Sequence, residues 1–326
     1  MDEGDQQPEI DVGRAEAGDL VARCATLAAL LEVSAYPKPG NVHRLRDVPE
    51  TRYEHFLAGG VAMGPAMRDL ALGGYDARDA PKGWAGIGMG GRILKAVEDT
   101  LDWQDGGNVN LGIILLFAPL AAAAGRSLQG GRVRAGELRE ALREATRSTA
   151  PADAVAVFEA IRLAVPGRVL GRVEELDVMD DSALKQIRAE GLTILDVFRR
   201  CAHRDAICRE WVSGFETTFA VGHPRLREAV GSMDVNAAVV DTFLRLLSGQ
   251  PDSLIARKSG LEKAREVSER AGRILSEGGP TSKRGAELLW ALDRELHEAG
   301  GLLNPGTTAD LTAAAIFVLL LEGWRP

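Results

Sequence analysis

The chain has 326 residues, 45% hydrophobic and 26% charged, with a formal net charge of −8. That length allows one large domain or two ordinary ones, and the acidic balance excludes nucleic-acid binding driven by bulk charge. The three cysteines, Cys24, Cys201 and Cys208, lack metal-ligand spacing and are expected to be reduced thiols of a cytoplasmic protein.

Residues 1 to 13 are acidic and polar, the reverse of a signal peptide, and are expected to form a disordered tail. A single domain is expected over residues 14 to 326. "DLVARCATLAALLEVSA" places Leu20, Cys24, Leu27, Ala28 and Leu31 on one helical stripe. "YPKPGNVHRLRD" follows as a proline-stiffened basic loop. Lys38, His43, Arg44 and Arg46 put four donors within nine residues, a pattern that suits phosphate as well as a solvated helix stop. "TRYEHFLAGGVAMGPAMRDLAL" reads as one helix burying Tyr53, Phe56, Leu57, Val61 and Met67.

"GIGMGG" matches dinucleotide-loop spacing at Gly86, Gly88 and Gly91, but its lead-in "DARDAPKGWA" is not a strand, so Rossmann binding is disfavoured. Two readings stay open there: amides holding phosphate at a helix start, or close backbone packing. "GGNVNLG" sets Asn108 and Asn110 before a strongly apolar helix, as caps or as contacts to a base, ribose or metal-bound water. Two amphipathic helices and the Gly-rich connector "PGRVLGRVEELDVMDD" come next. Two helices joined near His203 follow, and then "MDVNAAVVDTFLRLLSG".

"PDSLIARKSGLEKAREVSERAGRILSEG" reads as one helix, capped by Asp252 or Ser253 and carrying Arg257 and Lys258 near its start. After "TSKRGAELLWALDRELHEAG", the chain closes with "NPGTTADLTAAAIF". Asn304, Pro305 and Gly306 make a turn there, and Thr307 and Asp310 have capping-box spacing. Asp310 at this buried helix start is a cap or a metal and acid–base group, and the helix dipole favours its ionised form. The apolar runs at 111–124 and 311–321 are too short to span a bilayer. With no alternating strand segments and no repeat, the fold class is all-α: one domain of about a dozen helices around a buried helical core.

Three of these motifs, in this order, resemble the triphosphoribosyl-dephospho-CoA synthase family. They are Pro37-Lys38-Pro39-Gly40, "GGNVNLGII", and Pro305-Gly306 with Ala309-Asp310-Leu311. The resemblance covers residues from about 18 to the C-terminus and agrees with an all-α fold. It implies a cytoplasmic transferase that attacks C1′ of the ATP ribose with the 2′-hydroxyl of 3′-dephospho-CoA. Adenine leaves, and the product is a prosthetic-group precursor. On that expectation Asp310, Glu32 and Lys38 are the catalytic candidates. Lys38, Gly40, Asn41, His43, Arg44, Arg257, Lys258, Asn304, Gly306, Thr307 and Thr308 line the nucleotide site. Asn108 and Asn110 orient ribose or adenine, and Mg²⁺ is held by Asp310 and Asp252. The partners are ATP and dephospho-CoA, with no nucleic acid and no membrane, and a homodimer is left open. His43-Arg44 and Leu111 depart from the family pattern and point to a divergent, archaeal-like branch, with a related alcohol as alternative acceptor. A Mg-dependent nucleotide or ADP-ribose hydrolase and a non-catalytic nucleotide-binding protein are the competing expectations.

Overall fold

Long apolar helical runs with no strand partner must bury themselves against one another. The computed structural model describes residues 13–78, 83–165, 178 and 180–326. Apart from Gly13, the expected N-terminal tail lies outside the described residues, as does most of the Gly-rich connector.

In chain order the helices are α1 (Arg14–Ser34), α2 (Tyr53–Ala62), α3 (Gly64–Asp76), α4 (Met89–Asp102), α5 (Leu111–Ser127), α6 (Ala135–Arg147), α7 (Pro151–Ala164) and α8 (Asp181–Glu190). The second half adds α9 (Ile194–Cys201), α10 (Ala206–Ser213), α11 (His223–Ala229), α12 (Val235–Gly249), α13 (Ser253–Ser259), α14 (Leu261–Ser276), α15 (Lys283–Glu298) and α16 (Gly306–Leu321). Among the described residues only isolated bridges stand in for strands, at His43–Arg46, Val48–Thr51 and Gln129–Arg132. The fold is all-α. No helix among the described residues is long and apolar enough to cross a membrane.

The centre is α5 packed on α16, with Phe117 and Phe317 in ring contact at 4.6 Å. Pro119 inside α5 cannot donate to the carbonyl four residues back. That carbonyl, on Leu115, is taken instead by Trp211 Nε1 at 3.0 Å, which ties α10 to the central helix.

Several sequence expectations change. The predicted helix over 51–72 is two, because Pro65 opens a new helix at α3 and the chain turns at Met63. Val61 is consequently exposed. The predicted helix over 251–278 also divides, at Gly260 with φ +90°. On α1 the fully buried face is Ala17, Val21, Ala25, Ala28 and Glu32, so the helix packs closely through small residues while Leu20, Leu27 and Leu31 are only partly covered. The cysteine expectation fails in part. Cys201 and Cys208 form a disulfide across the α9–α10 turn, and only Cys24 is a free, buried thiol.

Candidate active site

The basic loop between α1 and α2 turns inward rather than outward. Gly40 lies at φ +72°, and a Cβ there would stand 2.7 Å from Leu296 Cβ, so glycine lets the loop lie on α15. Lys38 is fully buried and ion-paired with Glu32, which α1 carries on its buried face. Lys38 Nζ also donates to Asn41 Oδ1 at 2.9 Å, and Asn41 Nδ2 donates to Asn304 Oδ1 at 2.9 Å. Burial pushes the Glu32 carboxyl up and the Lys38 ammonium down, and each partner's charge opposes the shift. Lys38 is therefore a buried counter-ion with no surface to offer a phosphate, which corrects its expected role as a direct phosphate grip.

The network joins the loop to the start of α16. That helix begins at Gly306 with no side-chain cap of its own, so the capping box expected from Thr307 and Asp310 is not formed. Asp252, fifty-six positions before Thr308, caps it instead. Its Oδ2 accepts from Thr308 N and Thr308 Oγ1, both at 2.8 Å. Its Oδ1 accepts from Leu254 N at 2.8 Å and Ile255 N at 3.1 Å, which caps α13 as the sequence predicts. One buried carboxylate thus caps two helices. Ser253 Oγ donates to Thr307 Oγ1 at 3.1 Å and completes the joint.

Asp310, one turn into α16, is left without a hydrogen-bond or ion-pair partner among the described residues, and it stays partly exposed. Its carboxylate lies against α5, where a Cβ on Gly112 would come within 2.0 Å of Asp310 Oδ2. Burial pushes its pKa well up, and the charges of Glu32, Asp252 and Asp205 push the same way, with Lys38 opposing. These neighbours oppose the ionised form that the helix dipole favours.

Arg257 and Lys258 on α13 supply exposed cations nearby. Arg257 Nη1 stands 3.7 Å from Asp205 Oδ2, and Lys258 Nζ donates to Gly301 O at 3.1 Å. Burial holds the Lys258 ammonium below its usual range. Arg44 covers the Tyr36 ring at 4.2 Å and donates to Asn236.

The asparagine pair is not gathered into the network. Asn108 Oδ1 accepts from Leu111 N at 3.3 Å, while Asn110, at the N-cap of α5, makes no side-chain cap and is buried beside Gly59 of α2. Within the "GIGMGG" segment it is Gly90 that serves close packing: a Cβ on it would stand 2.2 Å from Asp153 O, and Gly90 N donates to Asp153 Oδ1 at 2.9 Å, whereas a Cβ on Gly86 or Gly91 would meet nothing within 4 Å.

Two residues of the neighbourhood escaped the sequence reading, Asp293 and His297 on α15. Asp293 is fully buried, with His43 Nε2 at 3.3 Å and His297 Nδ1 at 3.1 Å from its Oδ1. Asp293 also sits on the apolar stripe Leu289, Leu292, Leu296, and a charge on that stripe is the signal that could have found it. His43, Asp293 and His297 are close enough to hold a metal ion. The hydrogen bond at His43 opposes it. Leu45 N donates to His43 Nδ1 at 3.3 Å, leaving the proton on Nε2, and His297 Nδ1 faces the Asp293 carbonyl at 2.9 Å and must itself be the donor.

A family model described as ATP:dephospho-CoA triphosphoribosyl transferase matches residues 19–326. The chain is 28% identical over 297 residues to a 2-(5″-triphosphoribosyl)-3′-dephosphocoenzyme-A synthase of Klebsiella pneumoniae, covering 89% of this chain and 87% of that one. It is 26% identical over 309 residues to a protein of the same name, numbered 1, from Salmonella choleraesuis strain SC-B67, covering 93% and 90%. A solved structure from Archaeoglobus fulgidus, carrying the name triphosphoribosyl-dephospho-coA synthase, superposes with a TM-score of 0.61 at 27% identity. It covers 82% of this chain and 100% of that one.

Proposed function

Because this chain belongs to the ATP:dephospho-CoA triphosphoribosyl transferase family, we propose that it transfers the triphosphoribosyl group to the 2′-hydroxyl of 3′-dephospho-CoA, with Asp310 as the base. The O2′–C1′ bond forms as the C1′–N9 bond to adenine breaks, and the bonding pair leaves with adenine. The hydroxyl proton passes to Asp310 and then, through solvent, to the departing base. Substitution at an anomeric carbon develops positive charge at C1′, and an adjacent carboxylate stabilises it.

The observation that carries this reading is the state of Asp310. It is a partly exposed carboxylate with no partner among the described residues, set among groups that raise its proton affinity. A raised pKa makes its ionised form a stronger base near neutral pH. Glu32 and Lys38 act from beneath as a fixed pair, with Asn41 linking Lys38 to the α16 start through Asn304. Arg257 and Lys258 are the exposed cations that suit the triphosphate.

Mg²⁺ fits this donor set through Asp310 and the substrate's own phosphates, since Asp310 has unengaged oxygens and the ion takes hard oxygen ligands. Bound there it would neutralise triphosphate charge. Asp252 does not fit that role, because both its oxygens are committed to helix N–H groups and Thr308.

The test is direct. Purified protein is incubated with ATP and Mg²⁺, with and without dephospho-CoA, while free adenine is followed by chromatography and the product by mass. Adenine released only with dephospho-CoA supports the transfer. No adenine under either condition rejects it, and adenine without the acceptor points to hydrolysis.

A further inference from the structure

We propose that Asp293, kept in aim by His297, is a positioning residue that sets where Asn41 and, beneath the nucleotide site, the buried Lys38 stand. This rests on the transfer reading above. The chain on both sides of Asn41 is anchored to this one carboxylate. Gly40 N points at Asp293 Oδ1 at 3.4 Å, and His43 Nε2 reaches the same oxygen at 3.3 Å. Asn41 lies between these two anchors. Its amide is thereby pinned on both sides while it bridges Lys38 Nζ and Asn304. Arg46 Nη1, at 3.5 Å, faces the other oxygen of Asp293, so the far end of the loop is tied to the same carboxylate.

A buried carboxylate is held best by a donor on its own helix. His297 supplies it from the same helix, four residues on, with Nδ1 directed at both the carboxylate and the carbonyl of Asp293. His297 Nε2 is buried and makes no hydrogen bond among the described residues. The ring's one engaged nitrogen therefore serves Asp293. Burial works against charge on Asp293, but the hydrogen bonds from His297 and His43 overcome it and hold the carboxyl down at about 2.

Kinetics and calorimetry of ATP binding on the full chain test the role. Asp293→Asn and His297→Leu are expected to raise both the ATP KM and the calorimetric Kd about tenfold, the worth of a hydrogen bond to a charged group. His297→Asn keeps a donor where Nδ1 stood and is expected to stay within about twofold of wild type. A merely structural role lowers the active fraction, hence kcat, and leaves KM and Kd where they were. If Asp293→Asn fails to fold, the two His297 variants decide alone.

Unchanged ATP affinity in Asp293→Asn, or equal damage from His297→Asn and His297→Leu, overturns the proposal. So does stoichiometric zinc in the wild-type protein that is lost in Asp293→Asn. Calorimetry keeps this question separate from the transfer itself. A wild-type protein that releases no adenine refutes the reaction and still reports ATP affinity, whereas active Asp293→Asn with normal KM refutes only the positioning role.

Discussion

Gly90 and Gly112 are each the second residue of a helix, α4 and α5, and each follows a glycine-rich stretch with the look of a ligand loop. They do opposite work. At Gly90 the missing Cβ makes room for the backbone of Asp153, and α4 closes on α7. At Gly112 it makes room for the carboxylate of Asp310. The motif alone does not separate these uses. What separates them is the neighbour: a helix backbone, against an acid that has no hydrogen-bond or ion-pair partner among the described residues.

The largest expected effect lies on the acid itself. Asp310→Asn should lower kcat by about 10²–10⁴-fold, the range for loss of a general base, with helical content unchanged by circular dichroism. Its melting temperature should rise slightly at neutral pH, because a carboxyl whose folded pKa is raised makes folding costlier once it ionises.

Lys38→Met sharpens the contrast between buried and exposed charge. It strands Glu32 in the core and should cost about 3 kcal/mol in denaturant unfolding. Adding Glu32→Gln should restore most of that stability without restoring turnover. A stable, fully active Lys38→Met would remove the pair from the mechanism.

The two glycines then part company. Gly112→Ala should displace the Asp310 carboxylate and cut kcat about a hundredfold at nearly unchanged melting temperature. Gly90→Ala pushes a Cβ into fixed backbone and should cost about 1–3 kcal/mol, with kcat per folded molecule preserved. Equal behaviour of the two would break the comparison.

The smallest effect is in pH. Asp293 has a folded pKa of about 2, below its ordinary 3.8. Its contribution is present above pH 3.8 and is lost as pH falls through 2. Asp293→Asn should therefore flatten the acid limb of the stability curve by roughly 2 kcal/mol between pH 5 and 2, measured by urea unfolding.

Much of the fold was legible because helical periodicity and caps are local. The α9–α10 joint near His203 and the Asp252 cap of α13 followed from residues within a few positions. The turn at Met63 and the break at Gly260 were missed because apolar periodicity runs through both. The cysteine pair was missed although the joint near His203 lies between its members, because whether the turn brings two sulfurs within bonding distance is not readable from spacing. At the site, Glu32, Lys38, Asn41, Asn304 and Asp310 were named from sequence and do converge. Their roles were less legible, since burial, which turns Lys38 from a phosphate grip into a counter-ion, is a tertiary property. Glu32 and Asp293 both sit on buried faces of otherwise apolar stripes, and that violation is readable in any amphipathic helix.

The double cap by Asp252 also bears on the order of assembly. The first turn of α16 has no local side chain to close it, so its N–H groups wait for a carboxylate fifty-six positions away. Long-range closure of this kind is slow relative to helix formation. Asp310 is one turn beyond that joint, so its geometry is set only when α13 docks. The chain can be largely helical before it can react, and recovery of activity on refolding should lag behind recovery of helical signal.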